Sequence, residues 1–98
     1  MADEWDIAVG VMRIAAVNNG LCTFDLAYRH IPGYVHLSPD NVAPSTTRPG
    51  EPMWHQLVRN IYSHRATPGN AISEDYLTHE NGTGYRITPT GRRYIETH

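Results

Sequence analysis

The stretch Pro44 to Arg65, PSTTRPGEPMWHQLVRNIYSHR, decides how this chain is read, because it delivers one amphipathic helix out of a polar loop. Proline suits a first helical turn, where its missing N–H costs nothing, and a carboxylate suits the positive end of a helix dipole. Pro52 and Glu51 therefore predict a helix over Glu51 to Arg65. Trp54, Leu57, Val58, Ile61 and Tyr62 recur at spacings of three and four and form one apolar stripe to face a core. The other face carries Met53, His55, Gln56, Arg59, Asn60, Ser63 and His64. Arg, Gln and Asn can reach purine edges, and Ser and His can reach phosphate oxygens. Such a face is either a solvated surface or a nucleic-acid reader, and the flanking sequence weighs between the two.

Ninety-eight residues make one domain with one core. No apolar run reaches membrane-spanning length, and no basic segment leads into an apolar one near Met1. A soluble, intracellular, cytoplasmic protein without signal peptide or membrane anchor is expected. Cys22 is the only cysteine, which excludes an internal disulfide and a multi-cysteine zinc site and leaves it as small buried filler. The net charge of −2 does not advertise nucleic-acid binding. Its distribution is uneven, however. Up to residue 40, Asp3, Glu4, Asp6, Asp25 and Asp40 outnumber Arg13 and Arg29. The remainder sets Arg48, Arg59, Arg65, Arg86, Arg92 and Arg93 against Glu51, Glu74, Asp75, Glu80 and Glu96. All eight basic residues are arginine, so a nuclease carboxylate–lysine cluster or a phosphate-loop lysine cannot be built from this chain.

Taken in order, Asp3 caps a first helix to about Val17, with Trp5, Ala8, Val9, Met12, Ala15 and Ala16 as its apolar stripe, and Asn18–Asn19–Gly20 stops it. Thr23 caps a second helix over Phe24 to His30, which Ile31–Pro32–Gly33 is expected to end. Tyr34 to Leu37 reads as a short edge strand and Ser38 to Gly50 as a long polar loop, a length often tied to function. Thr46, Thr47 and Arg48 of that loop sit where hydroxyls, a guanidinium and free helix N–H groups can meet a phosphate. Beyond the Pro68–Gly69 turn, Asn81–Gly82–Thr83–Gly84 signals a tight turn pairing Tyr76–Glu80 with Tyr85–Thr88 as a hairpin. Thr88 then caps, and Pro89 begins, a last helix to Ile95.

The expected fold is thus α+β: a winged helix-turn-helix of three helices, a small antiparallel β-hairpin wing and a short C-terminal helix, forming one domain over residues 1–98. The segment Gly84-Tyr85-Arg86-Ile87-Thr88-Pro89-Thr90-Gly91-Arg92-Arg93 resembles the wing-to-helix junction of many winged-helix proteins. Residues from about Arg48 to Ile95, half of the chain, resemble more loosely the amino-terminal winged-helix domain of Mrr-type restriction enzymes, where a Trp sits early in the recognition helix as Trp54 does here. Two departures stand out. No nuclease domain follows, and the loop from Ser38 to Gly50 has no placeable counterpart.

That resemblance implies double-stranded DNA binding, with the central helix in the major groove, and a sensor of methylated bases such as N6-methyladenine within or alongside a restriction system. Any nuclease would come from another domain or a partner chain. A base methyl in the major groove needs an apolar partner, which Met53 and Trp54 could supply; a buried structural Trp54 is the competing reading. The expected contacts are Thr46, Thr47 and Arg48 in the loop, Met53, Trp54, His55, Gln56, Arg59, Asn60 and Ser63 on the helix, and Asn81, Thr83, Tyr85 and Arg86 on the wing. A transcriptional regulator and a protein-interaction module are the alternatives, as monomer or homodimer, with the first helix as the only dimerisation surface on offer. The six histidines lack zinc-ligand spacing, and no nucleotide loop, nucleophile elbow or persuasive carboxylate pair is present. Neither a metal, a cofactor nor an enzymatic activity is expected.

Overall fold

The computed structural model describes residues 1–98 and shows an α+β fold of five helices and one three-stranded antiparallel sheet around a core of 17 buried residues. Helix α1 (Glu4–Ala16) starts as its sequence requires: the Asp3 carboxylate accepts the Asp6 N–H at 2.9 Å, and the Asp6 carboxylate accepts the Asp3 N–H at 3.1 Å. It runs through the middle of the molecule, burying Ile7, Val11, Met12 and Ile14. Its turn at Asn18–Gly20 leads into β1 (Leu21–Thr23), a strand the sequence did not announce.

Thr23 caps α2 (Phe24–Tyr34), accepting the Leu26 N–H. The helix runs through Pro32 rather than stopping before it, and so uses up the start of the expected edge strand at Tyr34–Leu37, which does not form. Packing accounts for the extra turn. Gly10 of α1 lets α2 approach so closely that a Cβ there would stand 2.8 Å from Val35 and 2.9 Å from Ile31. Burial of Ile31 at that contact offsets the one backbone hydrogen bond that Pro32 cannot donate.

The expected long loop is partly ordered. Ser38-Pro39-Asp40-Asn41 makes a short helix α3 (Pro39–Val42), and the buried Asn41 side chain bonds both the N–H and the carbonyl of Ala2 at 3.0 Å, tying the segment to the N-terminus. Pro44 and Pro52 form an isolated antiparallel bridge, and the Met53 N–H donates to the Ala43 carbonyl at 2.8 Å. That tie keeps Pro52 extended, at ψ 150°, so it caps α4 (Met53–Ser63) from outside instead of opening it. The central helix is thus shorter at both ends than the sequence predicted.

Strands β2 (Leu77–Glu80) and β3 (Gly84–Ile87) form the hairpin in the register Leu77↔Ile87, His79↔Tyr85, and α5 (Pro89–Thr97) follows, capped by Thr88. The sheet order is β1-β3-β2, so β3 is central. Gly84 makes this possible: at φ +153°, a Cβ on it would lie 2.1 Å from the Cys22 carbonyl oxygen of β1. No helix is long and apolar enough to cross a membrane.

Candidate nucleic-acid interface

Helix α4 buries Trp54, Val58 and Ile61, three of the five residues of its expected apolar stripe. It is locked to the hairpin by Tyr85, whose hydroxyl donates to the Val58 carbonyl at 2.6 Å and accepts the Tyr62 N–H at 3.2 Å. Those are the two groups that a helix joins to each other, so the phenol stands inside the hydrogen-bond ladder of α4. Burial pushes the phenol's pKa well above its usual value. Tyr85 is 1% exposed. Its expected place on the DNA-facing side is therefore wrong: it is the bolt between hairpin and helix.

Trp54 requires the same correction. At 5% exposure, its indole is part of the core, edge-on to both Tyr28 and His55, and cannot stack on or cover a base methyl. Tyr62, expected in the core, is instead 38% exposed and stacks on His79 of β2 at 3.9 Å, with the Arg65 guanidinium 4.1 Å over its ring.

The loop before α4 lies across the helix as a strap. Ser45 is buried, and its hydroxyl meets the Thr47 hydroxyl at 3.1 Å and the Gln56 amide oxygen at 3.2 Å; Thr47 also reaches that oxygen at 3.3 Å. Further along, the Glu51 carboxylate sits 2.7 Å from the Arg59 guanidinium, with both side chains largely covered. The buried Glu51 Oε1 is the atom nearest the guanidinium, and hydrogen bonding and charge attraction to Arg59 together hold the pair. The Arg59 guanidinium keeps the Glu51 carboxyl below the ordinary carboxylate value. Burial alone would lower the pKa of Arg59, but Glu51 and Tyr28 outweigh it and hold it above its usual value. His55 stacks on Tyr28 at 4.2 Å, and its burial depresses its pKa. Thus Gln56 and Arg59, two of the predicted base readers, are engaged by the strap, and His55 is wedged against α2.

What remains open on this side is narrower than the predicted face. Met53 and Asn60 are half-buried, Ser63 is exposed, and the Asn60 amide makes no side-chain hydrogen bond. Thr46 and Arg48 are exposed on the strap, and Arg48 has no carboxylate partner. Asn81 and Thr83 are exposed at the hairpin tip, where the Thr83 carbonyl accepts the Phe24 N–H of α2. Arg86 differs. Successive strand side chains point to opposite faces, and Tyr85 points to α4, so Arg86 points away from it, paired with Glu80.

Between α4 and the inner face of the hairpin runs a cleft of about 310 Å³, lined by Arg59, Tyr62, Ser63, His79 and Asn81 among others. Sequence reasoning missed Tyr28 and His79 as neighbours of the helix face, and it placed Glu51 and Arg65 inside the helix, whereas both lie just outside it. The only available signal was for Glu51 and Arg59, which lie too far apart for an i,i+4 pair within one helix yet are joined once Pro52 breaks the chain direction. Cys22 is buried, and burial pushes its thiol up to about 12. No three His, Cys, Asp or Glu side chains converge on a point that could hold a metal ion. Compared with known protein families, curated proteins and solved structures, the chain matches none of them.

Proposed function

We propose that the chain is a winged helix-turn-helix domain that binds double-stranded DNA, with α4 entering the major groove and the β2–β3 hairpin flanking it as a wing. The observation that carries this reading is the position of α4: it is bolted by Tyr85 to the inner face of a hairpin whose tip, Asn81 to Thr83, is exposed beside the helix's polar side. The strand β1 between the first two helices and its pairing with β3 support the same arrangement. Asn60 and Ser63, with Arg59 once it leaves Glu51, face the bases, and Arg48 and Arg65 at the two ends of α4 face phosphates.

With Trp54 in the core, Met53 is the one apolar side chain of the expected pair left near the surface to meet a base methyl. The protein-interaction alternative is favoured by the net charge of −2, with Arg29, Arg59 and Arg86 each already facing a carboxylate. Fluorescence anisotropy with matched unmodified, N6-methyladenine and C5-methylcytosine duplexes separates these readings. Salt-sensitive binding to any duplex supports the DNA reading, and a preference of about tenfold for one modified duplex supports a modification sensor. Absence of binding at low salt contradicts both.

A further inference from the structure

We infer that Arg86 and Arg92 form a binding site for a phosphate group on the outer face of the sheet, over the turn that joins α1 to β1. Arg86 points to the side of β3 away from α4, so the site stands apart from the proposed DNA-reading helix and does not depend on it. Gly20 is its floor. A methyl group placed on Gly20 would stand 3.2 Å from the Arg92 Nη2 and 3.8 Å from the Arg86 Nη1. Arg86 comes from β3, opposite Leu21, and Arg92 comes from α5, so two guanidiniums from different elements converge on one point of a third. The left-handed conformation of Gly20, at φ +89°, suits a residue just past a helix end, and its missing side chain leaves the room above it to the two arginines.

Like charges drawn to one point repel unless an anion lies between them. The chain supplies only part of that anion. Glu80 takes the Arg86 Nε, which leaves Nη1 turned towards Gly20 without an acceptor. Arg92 makes no ion pair, and its guanidinium donates no hydrogen bond. One carboxylate therefore faces two guanidiniums, and the site keeps a net positive charge. Geometry then selects the ligand class. A carboxylate presents both oxygens to one side and suits a single guanidinium fork, whereas a tetrahedral phosphate presents oxygens on every side and can accept from two guanidiniums that arrive from different elements.

Amide NMR of the full chain, titrated with sodium phosphate at fixed pH and ionic strength against sodium chloride and sodium acetate, tests this. Phosphate is expected to give saturable shifts at Gly20, Arg86 and Arg92, and acetate none. Arg92→Gln and Arg86→Gln should each weaken phosphate binding about tenfold. Arg93→Gln should leave it unchanged, because that guanidinium is turned to the Thr90 hydroxyl. All three side chains are exposed, so the fold, followed by circular dichroism, should hold in each variant. A DNA duplex in a second arm distinguishes the sources of the phosphate. Duplex-induced shifts at Gly20 that phosphate competes away identify a nucleic-acid backbone, and phosphate shifts without duplex shifts there identify a free phosphate compound. Failure of the duplex to bind α4 would leave the phosphate titration standing. No saturable response to phosphate, an equal response to acetate, or unchanged affinity in Arg92→Gln would overturn the inference.

Discussion

Replacing Glu51 by Gln is expected to tighten DNA binding, a gain from removing a residue near the proposed interface. In the free protein the Arg59 guanidinium is held 2.7 Å from the Glu51 carboxylate, with side-chain exposures of 24% and 21%. For Arg59 to reach a phosphate or a guanine edge that contact has to open, and its free energy subtracts from the affinity. A pair of this kind, partly covered, contributes about 1 kcal/mol, so Glu51→Gln should bind roughly fivefold more tightly. Gln keeps the size and one acceptor oxygen, and the backbone tie from Ser45 N–H to the Glu51 carbonyl at 2.7 Å is unaffected, so the strap itself should stay in place. Anisotropy titrations of wild type, Glu51→Gln and Arg59→Ala against one duplex at fixed salt provide the measurement. Arg59→Ala should weaken binding, and Glu51→Gln combined with Arg59→Ala should gain little from the first substitution. Equal or weaker binding by Glu51→Gln would refute the reasoning and assign Glu51 to positioning Arg59 within the complex.

Three further outcomes follow from the packing and titration chemistry. Tyr85→Phe removes the hydroxyl from the α4 ladder; because Val58 C=O and Tyr62 N–H can then close on each other, the loss should be about 1 kcal/mol by urea unfolding, and an unchanged midpoint would mean the bolt is not a structural contact. Gly84→Ala forces a Cβ onto the Cys22 carbonyl and should cost about 3 kcal/mol, with amide-exchange protection lost first at Leu21–Thr23; retained protection there would contradict the β1–β3 packing argument. Burial, the leading cause, depresses the pKa of both His55 and His79, so the unfolded chain binds more protons than the folded one as pH falls through 6.5. Stability should therefore be full above that pH and decline below it, and His55→Gln with His79→Gln should flatten the thermal-melting profile between about pH 7.5 and about pH 5.5. A profile as steep as the wild type's would refute this.

The elements most legible in the sequence were those with a local chemical signature. Asp3 caps α1, Trp54, Val58 and Ile61 mark the buried side of α4, and Asn81 to Gly84 turns the hairpin, each signal lying within a few residues of the chain. Elements fixed by distant partners were not legible. Strand β1 is three residues long, too short for any alternation to register, and exists because Gly84 lets β3 lie against Cys22. Helix α2 continues through Pro32 because Gly10, far earlier in the chain, opens room for Ile31 and Val35. Helix α3 did carry a readable cue, a Ser followed by Pro at the first helical position, which the expectation of a polar loop obscured. The candidate interface was half legible. Periodicity separated the polar side of α4 from its core side, but whether Arg59 and Gln56 were free depended on how a proline-rich strap folds back. Tyr85 misled because a tyrosine beside a wing tip has the same sequence context whether it faces water or a helix.

The central claim is that α4 and its flanking arginines grip the DNA backbone, and the salt dependence of duplex binding tests it most directly. Arg48 and Arg65 can each neutralise a phosphate, which predicts that log K falls against log salt with a slope of about −2. Arg48→Ala should bring that slope nearer to about −1 and weaken binding to all sequences alike. A slope near zero, or no duplex binding at low salt by a chain shown to be folded, would contradict the account.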